Sequence, residues 1–270
     1  MKGLLLKIFL ETRWPVIFFG AGLAAIMSIL TWVLPTILGD IADVFQSIPL
    51  IKPLISALLG VDPDSQFSAQ MTQAFLWVHP TVLCTLWGHE IMYCTRSPAG
   101  EIDRGTIDFL LGLPVSRWKL HIAETIGWLA SGIIILGIGI SGHVIVAQQF
   151  VEKMQPSLSA ISMILCNLMS MYIAVGTIAM LVSSLSDRRN RAMGVVFAIL
   201  LVSFLLNFLA QFWKPAEPWA RLSVLEYYRP AEIIQEGTLP TTNIAILLTV
   251  GTICWITAGL ILRRRSICTV

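Results

Sequence analysis

Apolar positions in this chain fall into long uninterrupted runs separated by short polar stretches. The runs cover about 14–34, 74–93, 122–147, 157–183, 193–213 and 241–262. Each is near the ~20 residues a helix needs to cross ~30 Å of hydrocarbon. The runs are continuous rather than alternating, which predicts helices and not the strands of a barrel. The fold class read from this pattern is all-α: one polytopic membrane domain over residues 1–270 with six transmembrane helices. The third and fourth runs exceed the required length and so predict tilt or extension into water. Residues 2–13 set Leu4, Leu5, Ile8 and Phe9 against Lys2, Lys7, Glu11 and Arg13. That pattern fits either an N-terminal amphipathic helix lying at the interface or a plain extension of the first span. The loop at 35–73 is itself apolar, and 48–59 reads as a further interfacial helix.

Composition agrees with lipid as the main solvent. Of the 270 residues 56 % are hydrophobic and 13 % charged, where a soluble domain carries about 25 % charged. The net charge of +2 is too small to indicate nucleic acid. The position of the charges says more than their sum. With six spans, thirteen of the 18 Lys and Arg share one side with both termini, among them Arg96, Arg104, Arg117, Lys119, Arg188, Arg189, Arg191 and Arg263 to Arg265. Lys52, Lys153, Lys214, Arg221 and Arg229 fall on the other. Basic residues mark the cytoplasmic side, so both termini are expected there. No small-x-small cleavage site follows the first apolar run, so the segment is expected to stay as a span rather than leave as a signal peptide.

Few strings carry chemistry. Gly139-Ile140-Ser141-Gly142 has the G-x-S-G form of an intramembrane serine protease, but none of the four histidines lies beyond residue 143 to serve as base on a later helix. The run reads as small-residue packing. His89-Glu90 opens an H-E-x-x-H zinc motif whose second histidine position is Tyr93, so a ligand is missing. The five cysteines, Cys84, Cys94, Cys166, Cys254 and Cys268, are scattered without metal or disulfide spacing. His79, next to Pro80 in the second span, and the mid-span amides Asn167 and Asn207 are the candidates for a translocation path. For the amides, hydrogen bonding between helices is the competing role. Gly20, Ala24 and Ser28, and again Ala123, Gly127 and Ser131, keep the four-residue spacing that lets helices approach closely, within one chain or between two.

The stretch between the second and third spans, residues 97–119, is the most informative. Pro98 and Gly100 break the second helix. Gly105 and Thr106 start a new one, with Asp108 favourable in its first turn. Ile107, Leu110 and Leu111 form an apolar stripe at i, i+3, i+4. Pro114 ends the helix, and Ser116, Arg117 and Lys119 lead into the third span. The product is a short amphipathic helix held at the cytoplasmic face.

Glu101, Gly105, Thr106, Leu110, Leu111, Pro114, Ser116 and Arg117 together resemble the "E…GT…LL…PVSR" signature of type-2 ATP-binding-cassette (ABC) export permeases. Leu222-Ser223 and Tyr227-Tyr228-Arg229-Pro230, with Ile233, Ile234 and Gly237 before the last span, also fit that family's plan. The resemblance implies a coupling helix over these residues that docks on a separate ABC ATPase (nucleotide-binding) subunit. It also implies a second permease copy or paralogue, a lipid environment resembling a bacterial inner membrane, and ATP used only through the partner, with no cofactor bound directly. The chain has no G-x-x-x-x-G-K-[ST] phosphate loop, so a non-enzymatic transport subunit is expected. The competing reading is a secondary transporter or channel with no ATPase, but that class carries charged or broken spans at mid-membrane. Spans so poor in charge favour amphiphiles, lipids or apolar peptides over small ions as cargo.

Overall fold

The computed structural model describes residues 2–45, 69–149, 157–211 and 213–266, and all regular structure among them is helical. Helix α1 runs over Lys2–Phe45, α2 over Ala69–Val78 and α3 over Pro80–Cys94. Two short helices follow, α4 at Glu101–Asp103 and α5 at Ile107–Leu111. Long helices α6 (Arg117–Ala147), α7 (Leu158–Leu185) and α8 (Arg189–Ala210) come next. The chain closes with α9 (Glu217–Ala220), α10 (Pro230–Glu236) and α11 (Thr241–Arg264).

Among the described residues five helices, α1, α6, α7, α8 and α11, are long and apolar enough to cross a membrane. The remaining predicted span is present as two pieces. His79 leaves the helical region with ψ 129°, as a residue before proline tends to, and Pro80 starts α3 at the position where its missing N–H costs nothing. Residues 2–13 do not form a separate interfacial helix. They continue into the first span as one 44-residue helix that passes through Pro15 and Pro35. The apolar segment 48–59 lies outside the described residues, as do Lys52, Lys153 and Cys268.

Helix α7 is the central post. Leu168, Met171, Tyr172, Val175 and Ala179 are all buried along it, and α11, α3 and α8 pack on its sides. Helix α1 lies along α6, with α3 between α1 and α7. Close approach of α1 and α6 uses the small residues: Gly139 faces Leu23, and Gly142 faces the Ala24 carbonyl and Ser28. On the other stripe, Gly127 faces Tyr93 and Ile8, and Ser131 bonds His89. Both stripes are therefore occupied by packing within the chain, and the G-x-S-G run is part of it. The outer surface is apolar instead, with Trp14, Phe18, Ile29 and Trp32 of α1, Phe197 and Val202 of α8, and Ile253 of α11 exposed. That is the pattern of a bundle whose surroundings are lipid.

Candidate functional site

Lys7, Arg96, Arg104 and Arg189 gather at one end of the bundle, where the α3–α6 connection sits. After Cys94 the chain makes one wide turn over Arg96–Gly100, in which Ser97 is extended (φ −132°, ψ 132°). Gly105 takes a left-handed φ of +68°, a conformation that costs an L side chain about 1–2 kcal/mol. Thr106 then starts α5, with Asp108 in its first turn. The helix closes at Gly112, two residues ahead of Pro114, so the glycine and not the proline ends it. Ser116 caps α6 by accepting a hydrogen bond from the Lys119 N–H at 3.3 Å.

The two faces of α5 differ sharply. Ile107 is fully buried and Leu110 and Leu111 are half-buried, so the apolar stripe turns toward the bundle. Phe109, 80 % exposed, and Leu113, 46 % exposed, lie open at the surface, as does Asp108. An aromatic ring left in the open on a polar end is a feature that packing within this chain does not explain.

Behind the segment lies a cluster of charges drawn from four elements. Glu101 is buried, accepts hydrogen bonds from Thr106 and from Lys7 of α1 at 3.3 Å, and pairs with Arg104 at 3.3 Å. Burial alone would raise its pKa, but the Thr106 hydroxyl and the charges of Lys7 and Arg104 outweigh that and hold the carboxyl below its ordinary value. Arg96 is buried between two acids, Glu11 of α1 and Glu124 of α6. Lys7 also reaches Glu11, one turn along α1, at 3.3 Å. From α8, the Arg189 backbone N–H donates to Asp103 at 3.3 Å, and its guanidinium donates to the Met92 carbonyl at 2.8 Å. The connection is thus fastened to α1, α6 and α8 at once. Arg117 completes the frame by donating to the Leu262 carbonyl at 3.0 Å, and Arg265 donates to the Ser184 carbonyl at 2.6 Å.

Of the residues singled out from the sequence, Glu101 and Thr106 meet directly, Gly105 supplies the bend between them, and Leu110 and Leu111 share the inner face. Ser116 and Arg117 serve the start of α6, and Pro114 is exposed in the link. In the sequence Arg96 and Arg189 stand out only as topology markers and Lys7 and Glu11 as the polar side of residues 2–13, and no motif marks Glu11 or Glu124 as belonging to a site. The usable signal was the i,i+4 spacing of Lys7 and Glu11, together with a lone acid, Glu124, just inside an apolar span.

Deeper in the bundle, His89 sits between the Ser131 hydroxyl at 3.2 Å and the Tyr172 hydroxyl at 2.9 Å. Tyr172 stacks on Trp128 with ring centroids 5.2 Å apart. Neighbouring Glu90 is buried near the Gly176 backbone, and neither of its oxygens completes a hydrogen bond.

The three polar residues proposed for a path lie toward the opposite end. Asn167, fully buried, donates to the Tyr227 carbonyl and accepts from the Arg229 N–H, each at 3.0 Å. Asn207 donates to Glu226 at 2.8 Å. These two amides fasten the α9–α10 segment to α7 and α8. His79 caps α3 through Thr81, at 2.8 Å to its hydroxyl, and its ring lies 5.7 Å from Phe75.

Fold and site together define a polytopic membrane protein with a short amphipathic helix braced at its basic end. The model of the family described as "ABC-2 family transporter protein" matches residues 91–245, more than half of the chain. The chain belongs to that family, as the membrane domain of an ABC transporter permease. No curated protein and no solved structure matches it.

Proposed function

We propose that this chain is the membrane half of an ATP-driven exporter and that α5 is the surface on which a separate ATPase subunit docks. The basic end is then cytoplasmic, both termini lie on that side, and two permease chains, identical or related, complete the transporter in the cell membrane. The observation that carries the reading is the two-sided character of residues 101–117. Phe109, Asp108 and Leu113 lie open at the surface, while the inner side is braced to α1, α6 and α8 through Glu101, Arg96 and Asp103. A push on α5 is thereby delivered to three long helices rather than absorbed by a loop. ATP is used by the partner and reaches this chain only as force. The charge-poor spans favour an amphiphilic or apolar cargo, with Asn167 and Asn207 holding the outer segment and His79 the nearest polar group to the break in the second span.

The test is recruitment. Tagged permease expressed in its native host should co-purify with a phosphate-loop ATPase and stimulate its ATP hydrolysis in liposomes. Phe109→Asp should abolish both while leaving the permease folded in the membrane. A permease that moves cargo with no ATPase bound would favour the secondary-transporter reading instead.

A further inference from the structure

The brace behind α5 borders a half-open cavity of about 640 Å³ at the basic end, walled by α1, the end of α3, the 96–106 turn, α5 and the start of α8. Its lining is mixed in an informative way. Four cations, Lys7, Arg96, Arg104 and Arg189, meet two carboxylates, Glu11 and Glu101. Arg104 and Lys7 are paired with those acids, and Arg96 is held by Glu11 and Glu124. Arg189 differs from them: among the described residues its guanidinium makes no close ion pair and donates to the Met92 carbonyl, with the Asp103 carboxylate acting on its charge from farther off. The Nε atoms of both Arg96 and Arg189 are buried without a hydrogen-bond partner. Donors left unmade in this way are costly, and a guanidinium fork is shaped for phosphate. The remaining wall is carbon, from Pro15, Met92, Leu110 and the Phe109 ring, which suits an amphiphile better than a free ion. The wall helix α1 also exposes Leu6, Phe9 and Leu10 at this level, as a helix bathed in acyl chains would.

We infer that this cavity binds the phosphodiester headgroup of an anionic membrane lipid, with Arg189 as its chief charge partner. The inference rests on the reading that the basic end faces the cytoplasm, because it takes its ligand from the inner leaflet. A lipid seated there would fill the space between α1 and α5 and stiffen the link through which the ATPase acts.

The experiment uses the full-length permease in nanodiscs of phosphatidylcholine with or without phosphatidylglycerol, and reads lipid retained after extraction by mass spectrometry. Wild type should retain phosphatidylglycerol over phosphatidylcholine. Arg189→Gln should lower that retention roughly fivefold, the effect of one basic residue at an anionic surface, and Lys119→Gln, outside the cavity, should not. If Arg189→Gln does not fold, Arg104→Gln, on the exposed rim, is expected to lower retention in the same direction. Millimolar inorganic phosphate should fail to displace the lipid; displacement would assign the site to a free anion and overturn the inference. Equal retention by wild type and both variants would also overturn it. So would unchanged retention coupled with loss of ATPase recruitment in Arg189→Gln, which would make the cavity part of the protein interface. Failure of lipid retention with normal ATPase recruitment would sink this inference and leave the proposed function standing.

Discussion

Removing Arg96 is the sharpest perturbation of the brace. Its guanidinium is buried, with 9 % of the side chain exposed, and it bonds Glu124, whose side chain is 11 % exposed, as well as the half-exposed Glu11. Arg96→Met keeps the length of the side chain and removes the charge, which strands the Glu124 carboxylate in a nearly dry site. Breaking one partner out of a buried ion pair costs about 3–5 kcal/mol, because the remaining charge is left without compensation. Glu11 reaches water and adds little to that figure. For a chain of this size 1 kcal/mol moves the melting temperature by about 2–4 °C, so the variant should melt on the order of 10 °C lower in detergent. The double variant Arg96→Met, Glu124→Met removes the stranded charge and should recover most of the loss, since a buried pair replaced by apolar residues of similar volume is often neutral. The assay is thermal unfolding of the two single variants, the double variant and wild type, read as a double-mutant cycle. Additive losses, with no recovery in the double variant, would refute the claim that these two side chains act as a pair.

Other consequences follow from the same geometry. A methyl group added at Gly176 would sit 1.9 Å from the Trp128 ring, so Gly176→Ala should cost about 1–3 kcal/mol by overpacking and lower the melting temperature; an unchanged transition would contradict the packing of α7 on α6. Gly105→Ala meets no neighbour within 4 Å but must adopt φ +68°, so it should lose about 1 kcal/mol from backbone strain alone and weaken ATPase stimulation more than permease stability. The Glu101 carboxyl is held below its ordinary pKa by Thr106, Lys7 and Arg104 against the opposing effect of burial. A lowered folded-state value gives stability that is complete above the unfolded value of about 4.3 and is lost as pH falls through the folded one. Melting curves of wild type should therefore drop faster on acidification below about pH 4.3 than those of Glu101→Gln, and parallel curves would count against that ion cluster.

The all-α membrane fold was legible because lipid imposes long apolar runs, and α6, α7, α8 and α11 begin and end within a few residues of the runs read from sequence. The break at His79–Pro80 was also written there, yet a hydropathy window sees only apolar residues on both sides and joins α2 to α3. The continuity of residues 2–13 with the first span was open in the sequence, since an amphipathic pattern fits a helix on the interface and one entering it alike. The structure decides it: Leu4 and Ile8 are buried within the bundle while Phe9 is exposed. In the 101–117 segment the helix, its inner stripe and its glycine bend were readable from local spacing. Its brace was not, because Arg96, Glu11 and Glu124 lie far apart in sequence and meet only when α1 packs on α6. Asn167 shows the same limit. A mid-span amide is visible at once, but that it serves the Tyr227–Arg229 backbone depends on where the outer segment folds back.

Docking of a partner ATPase on α5 is read out by a photo-crosslinking amino acid placed at Phe109 and, separately, at Leu222, which is 72 % exposed and lies in the α9–α10 region away from α5. On illumination in cells, position 109 should give an adduct with the ATPase subunit and position 222 should give none. An ATPase adduct at 222, or none at 109 in a complex that still hydrolyses ATP, would contradict the account.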